Sequence, residues 1–143
     1  MSQTVAQVTG DLYAEVQTFY ARQMRLADAL DIKGFADTFT EDGEVTHADG
    51  GRTRGRAEMI AAMRTRLPRY RDVSTQHWFG QLLIEPMDDG ALEISYYTLV
   101  AQTGESGLSL QPAYTVRDVL VREPGGRLLT RSRTIHRSTP AQR

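Results

Sequence analysis

At Pro68 the hydrophobic pattern changes period, and a chain that is helical before that point and extended after it has few folds open to it. Upstream, Leu12, Tyr13, Val16, Phe19, Tyr20, Met24, Ala27 and Leu30 recur at three- and four-residue steps. That spacing predicts a long helix with one apolar face, started by Thr9 or Asp11 as cap. Asp31 then precedes Ile32, Phe35, Ala36 and Phe39, predicting a second, short helix that ends near Glu41-Asp42-Gly43. Residues 44–47 alternate weakly, and Asp49-Gly50-Gly51 signals a turn into a short hairpin with Arg52 and Thr53. Met59, Ile60, Met63 and Leu67 mark a third helix, which Pro68 stops.

Downstream, residues 73–84, 91–103, 113–122 and 128–138 are rich in β-branched and aromatic side chains. Between them lie Pro86-Met87-Asp88-Asp89-Gly90, a stretch at 104–110 read as a loop, and Pro124-Gly125-Gly126. Four long strands in a meander form an antiparallel sheet. One face of that sheet must be buried by the helices, which predicts an α+β domain with a curved sheet wrapping a helix layer. At 143 residues the whole chain, 1–143, reads as one domain, with a polar tail at 139–143 expected to fray.

Composition narrows the function. Lys+Arg 17 against Asp+Glu 18 gives a net charge of -1, which supplies no general field for nucleic acid or an anionic membrane. With Cys 0 there is no thiolate nucleophile, disulfide, iron–sulfur cluster or thiolate zinc site. The start, 1–9, is polar without a basic and apolar leader, and nowhere do about 18 apolar residues run together, so a cytoplasmic protein is expected. No HExxH, GxSxG or phosphate-cradling glycine loop occurs, and Gly104-Glu105-Ser106-Gly107 reads as a loop. Neither a metal nor an organic cofactor is expected.

The three histidines are His47, His77 and His136. In Thr75-Gln76-His77-Trp78-Phe79-Gly80, alternation puts Thr75, His77 and Phe79 on one face and Gln76, Trp78 and Gly80 on the other. Facing inward, His77 is a titratable group in an apolar cup, suited to proton transfer; facing outward, it is a solvated side chain. His47 ends the first short strand and reads by itself as a turn residue. Asp31 has a structural duty as helix cap, and Tyr20 and Gln23 share the buried stripe of the first helix with Met24 and Ala27. Thr115, Arg117 and Val119 lie on one strand face, Tyr114, Val116 and Asp118 on the other, so Arg117 and Tyr114 exclude each other from the interior. Arg117 is the expected inward residue, with Arg131 and Arg133 solvated or paired to Asp118. Trp78 and Tyr96 are expected on the outer sheet face, as part of a homodimer surface.

Helices and strands in this order resemble the nuclear transport factor 2-like superfold, the cone-shaped α+β barrel shared by ketosteroid isomerases, scytalone dehydratase and SnoaL-like polyketide cyclases. Thr75-Gln76-His77-Trp78-Phe79-Gly80 is similar to the scytalone dehydratase segment that carries a catalytic histidine. Leu30-Asp31-Ile32-Lys33-Gly34-Phe35 is similar to the segment that carries its pocket aspartate. Phe39-Thr40-Glu41-Asp42-Gly43-Glu44-Val45 and Gly55-Arg56-Ala57-Glu58-Met59-Ile60 resemble phrases found across the superfold. The resemblance sets His47 where the isomerases keep an aspartate base, and Arg117 near their acidic oxyanion donor. Neither isomerase carboxylic acid is matched, and the strand that carries a second histidine in scytalone dehydratase offers Tyr97, Leu99 and Thr103.

The resemblance implies a cofactor-independent dehydratase or cyclase acting on an aromatic polyketide intermediate by histidine acid/base chemistry. Losing water from a β-hydroxy ketone needs a base for the α-proton, an acid for the hydroxyl and a donor for the enolate oxygen. His77 is the expected acid/base, His47 a second proton-transfer group, Asp31 an orienting carboxylate, and Arg117, Tyr114 or Tyr97 the enolate stabiliser. Tyr20, Gln23, Phe35, Met63 and Leu67 are expected to line a pocket for a small, planar aromatic substrate. Two alternatives stand beside this reading. One is a non-catalytic module that holds a hydrophobic ligand or a protein; the other is a ketosteroid isomerase-like isomerase or epimerase with His47 as base.

Overall fold

The structure, a computed structural model, describes residues 7–140, so the ends at 1–6 and 141–143, including most of the tail expected to fray, lie outside it. Helix α1, Gly10–Asp28, starts at Thr9, whose hydroxyl accepts from the Leu12 amide at 3.1 Å. Asp11 sits in the first turn, where its charge favours the helix dipole. The helix buries Val16, Tyr20, Gln23 and Met24 and stops where Leu30 takes a left-handed φ of 59°. Three amides then fold back onto the Arg25, Ala27 and Leu26 carbonyls.

Helix α2, Ile32–Ala36, is capped by Asp31 as expected, but it runs for 5 residues and does not reach Gly43. The Thr38 hydroxyl bonds the Phe35 carbonyl, and the Thr38 carbonyl accepts from the Thr130 amide. Sheet pairing therefore takes the chain from the helix, and Phe39 opens strand β1, Phe39–Thr46, fully buried. Strand β2, Arg52–Arg54, leads into α3, Gly55–Arg66, followed by a 3₁₀ turn, Leu67–Tyr70, that contains Pro68. The remaining strands are β3, Ser74–Pro86; β4, Leu92–Gly104; β5, Gly107–Leu110; β6, Tyr114–Arg122; and β7, Leu128–Arg137.

The sheet runs β2-β1-β7-β6-β4-β3, with β5 paired to β4. Two expectations are corrected. The stretch at 104–110 is not a plain loop, because Gly107 at φ 99° turns the chain so that β5 pairs back on β4. The sheet is not wholly antiparallel, because β1 joins β7 in parallel after the hairpin β1–β2 and α3 carry the chain to the opposite edge. Between Gly80 and Leu83 the β3–β4 register shifts, with Gln81 at φ 60°, and this bulge bends the edge strand.

Register fixes which side chains face the helices. Phe79 lies opposite Thr98, Thr98 opposite Tyr114, Tyr96 opposite Val116, and Ile94 opposite Asp118. On the concave face Tyr96, Val116 and Asp118 are 1%, 3% and 0% exposed, which corrects the outward placement of Tyr96. Trp78 and Tyr97, at 62% and 58%, lie on the convex face with Leu108 and Leu110 also exposed.

Two apolar clusters fill the interior. One joins α1 to β3, β4 and β6 through Val16, Tyr20, Ile94, Tyr96 and Leu120; the other joins α2, α3 and β1 through Ala36, Phe39, Val45 and Met59. Between them lies a buried polar network. Arg133 clamps Asp118 with two bonds of 2.9 Å, Tyr20 and Tyr96 donate their hydroxyls to the same carboxylate at 2.8 and 3.0 Å, and Gln23 accepts from Arg133. The Arg133 guanidinium also lies 5.2 Å from the centre of the Phe39 ring. No described helix is long and apolar enough to cross a membrane.

Candidate functional site

Because β1 is parallel to β7 while β7, β6, β4 and β3 alternate, the ends of β1, β7 and β4 and the starts of β6 and β3 meet at one end of the sheet. His47, Tyr114 and His77 all occur at this end of the sheet. The two histidines belong to opposite edges of the sheet, with His47 beside the β1–β2 edge and His77 on β3.

His77 is held by α1. Its Nδ1 lies 2.6 Å from Oδ1 of Asp28, the last residue of that helix, and its own backbone amide donates to both Asp28 oxygens at 3.1 Å. A carboxylate is unfavourable at a helix C-terminus, where the dipole is negative, so its position is stabilised by His77 rather than by the helix. With the Nδ1 proton directed at Asp28, the ring presents the Nε2 lone pair, and Nε2 has no partner among the described residues. The pair is half-buried, with the His77 side chain 31% and the Asp28 side chain 20% exposed. This arrangement can take a proton at Nε2 and stabilise the resulting imidazolium.

His47 follows β1 on the side of Val45, and its Nε2 lies 3.0 Å from the Thr53 hydroxyl oxygen. Burial holds its pKa below the usual histidine value, and the positive charge of Arg66 adds to that shift against a smaller opposing effect of Asp49. The imidazole is therefore neutral at pH 7, in a state able to accept a proton.

The other expected site residues divide. Arg117 points outward with its side chain 64% exposed, 3.5 Å from Glu93, which overturns its assignment as enolate stabiliser. The reason is the alternation itself: Asp118 claims the concave face because Arg133, Tyr20 and Tyr96 all bond to it. Tyr97 is likewise outward, on a convex-face groove with Thr115 and Arg137, and is removed from the pocket lining. Tyr114 takes the inward place and packs on the core. Asp31 is exposed and occupied as the α2 cap, 2.9 Å from the Gly34 amide; the carboxylate bonded to a histidine is that of Asp28, outside the expected site residues. Tyr20 and Gln23 are 0% exposed and committed to the buried network, so neither is free to touch a ligand. Phe35 and Met63 are half-buried against the second cluster and Leu67 is half-buried in the turn after α3. No group of three or more metal-ligating side chains occurs among the described residues.

Comparison with known proteins places the chain in a family and a fold. No curated protein matches the chain by sequence. Aln2 from a Streptomyces species is 38% identical over 92% of this chain and 94% of its own, with a TM-score of 0.86. ActVI-ORFA from Streptomyces coelicolor is 35% identical over 90% and 98%, with a TM-score of 0.84. A protein from Catenulispora acidiphila, solved in complex with S-DNPA, is 39% identical over 90% and 95%, with a TM-score of 0.83. The architecture is the nuclear transport factor 2-like, cystatin-like fold. A family described as SnoaL-like domain matches residues 10–134, and this chain belongs to the SnoaL-like domain family.

Proposed function

We propose that this protein is a cofactor-independent dehydratase or cyclase acting on an aromatic polyketide intermediate, with His77 as acid/base and Asp28 as the group that orients it. The 2.6 Å bond between His77 Nδ1 and Asp28 supports the reading, because a ring that donates its Nδ1 proton to a carboxylate keeps Nε2 as its basic nitrogen. Membership of the SnoaL-like family and a relative that holds the small molecule S-DNPA support a small-molecule site.

In the dehydration, Nε2 removes the proton on the carbon next to the substrate ketone, and the electron pair of that C–H bond forms an enolate. The enolate collapses, the C=C bond forms, and the neighbouring C–O bond breaks. The proton on Nε2 passes to the departing oxygen, which leaves as water, and His77 returns to its starting state. Asp28 stabilises the imidazolium in between. Tyr114, inward and half-buried, is the candidate donor to the enolate oxygen in place of Arg117. His47, kept neutral, serves as the second proton-transfer group.

The test uses 3-hydroxy-1-tetralone, which loses water to give fluorescent 1-naphthol. The wild-type protein is expected to accelerate this loss, and His77→Ala to reduce the rate by about 10²–10⁴-fold with the circular dichroism spectrum unchanged. Full turnover by folded His77→Ala protein would sink the assignment. Ligand binding without turnover in the wild type would return the domain to the non-catalytic binders.

A further inference from the structure

Among the described residues, one buried side-chain polar atom lacks a hydrogen-bond partner: the hydroxyl oxygen of Thr75. Thr75 is 8% exposed, whereas Ser74 and Gln76 on either side of it are exposed, so its side chain takes the covered face of β3. His77 shares that face by alternation, and its ring meets Asp28 at the end of α1. Thr75 and His77 therefore both face the helix layer.

The surroundings of Thr75 supply it with no partner. Register sets Gln102 of β4 directly opposite, but the side-chain oxygen of Gln102 accepts from Nε2 of Gln111 at 3.1 Å. Val100, opposite His77, has an apolar side chain. Strand β3 ends the sheet, so no strand pairs with its other side. The Asp28 carboxylate is taken by the ring and the amide of His77. A buried hydroxyl in this position is costly to the fold and calls for a partner from outside it.

We infer that Thr75 is a substrate-binding residue: its hydroxyl bonds the oxygen that leaves the substrate, beside the His77 imidazole that protonates it. The inference rests on the acid/base reading of His77 given above. Side chains two residues apart on one strand face stand about 6–7 Å from each other, close enough for one ligand oxygen to hydrogen-bond both. A turn about χ1 exchanges the hydroxyl and methyl positions of a threonine and brings the hydroxyl round to a bound ligand. The C–O bond that breaks is thereby held next to the proton on Nε2. Specificity follows from the same contact, because a ring without that hydroxyl leaves the Thr75 oxygen unpaired.

The experiment compares 2-tetralol with tetralin by calorimetry; the first carries the hydroxyl but no ketone, so neither compound reacts. Wild-type protein is expected to bind 2-tetralol about tenfold more tightly, and Thr75→Val, which keeps the branched shape, to reduce that preference to about twofold or less. Thr75→Ser restores it. Turnover of 3-hydroxy-1-tetralone falls by about tenfold in Thr75→Val and stays near the wild-type rate in Thr75→Ser. The urea midpoint of Thr75→Val is expected to equal or exceed that of the wild type, since no bond within the protein is lost. Equal affinity for the two compounds in the wild type, an unchanged preference in Thr75→Val, or no binding of either at millimolar concentration overturns the role. A lower urea midpoint with the preference unchanged assigns the hydroxyl to the fold and overturns it as well. Turnover that survives His77→Ala refutes the acid/base reading, whereas equal binding of 2-tetralol and tetralin refutes only the role of Thr75.

Discussion

Two aspartates near the end of α1 look interchangeable in the sequence, and the structure gives them unrelated work. Asp31 caps α2, whereas Asp28 bonds both the ring and the backbone of His77, 49 residues away. The sequence held one usable signal for Asp28: a carboxylate in the last turn of a helix, where cations are favoured, needs a partner from elsewhere. What it lacked was the fold of the edge strand onto the helix end, so a motif resemblance led to Asp31 instead. His77 itself was legible, because strand alternation alone put it with Thr75 and Phe79. Asp28→Asn should keep the shape of the side chain while removing the charge that stabilises the imidazolium. Turnover of 3-hydroxy-1-tetralone is expected to fall by about 10²–10⁴-fold, whereas Asp31→Ala should leave it within about twofold. A reversed order of these two rates would restore the aspartate that the sequence favoured.

At the scale of elements, the helices and the four long strands were readable from periodicity, and the errors sit where tertiary contacts decide. Phe39 fits the apolar face of a helix equally well, but pairing of β1 with β7 made it a strand residue. Arg117 and Tyr114 were correctly seen as mutually exclusive, and the choice between them turned on Asp118, whose partners lie on α1, β4 and β7 and are invisible to local alternation. The capped α2 gives a sharper test of local structure. A Cβ at Gly34 would stand 2.5 Å from Asp31 Oδ2, so Gly34→Ala cannot be made without moving the cap. The usual gain of about 1 kcal/mol for Gly to Ala inside a helix is therefore offset by loss of a cap of similar size. In an Asp31→Ala background the conflict is gone, and Gly34→Ala should stabilise by about 1 kcal/mol. Urea unfolding of the four proteins in this cycle reads the coupling, and strict additivity of the two substitutions would refute it.

Across the whole molecule, one carboxylate joins the parts. Asp118 takes a hydroxyl from α1 through Tyr20, another from β4 through Tyr96, and a guanidinium from β7 through Arg133, which in turn covers Phe39 of the second cluster. Such a network specifies how the helices sit in the sheet, since each member is left with an unpaired buried group if the packing shifts. It also sets a limit on alkaline stability. Burial foremost, with the Asp118 charge adding to it and the Arg133 charge opposing it, holds the Tyr20 and Tyr96 hydroxyls well above the ordinary value of 10.0. In the unfolded chain both phenols lose their protons near that ordinary value, so above it the unfolded state binds fewer protons than the folded one, and stability falls as pH rises. Below about pH 10 the contribution is complete. Of the 6 tyrosines, Tyr20 and Tyr96 should therefore ionise only with unfolding, as a late and cooperative step in the ultraviolet absorbance of phenolate. Tyr96→Phe should shorten that step and flatten the loss of stability above about pH 10, at the cost of one donor to Asp118. A smooth titration of all the phenols in folded protein would mean that the network opens to solvent, and that the helix layer and the sheet are joined less firmly than these bonds imply.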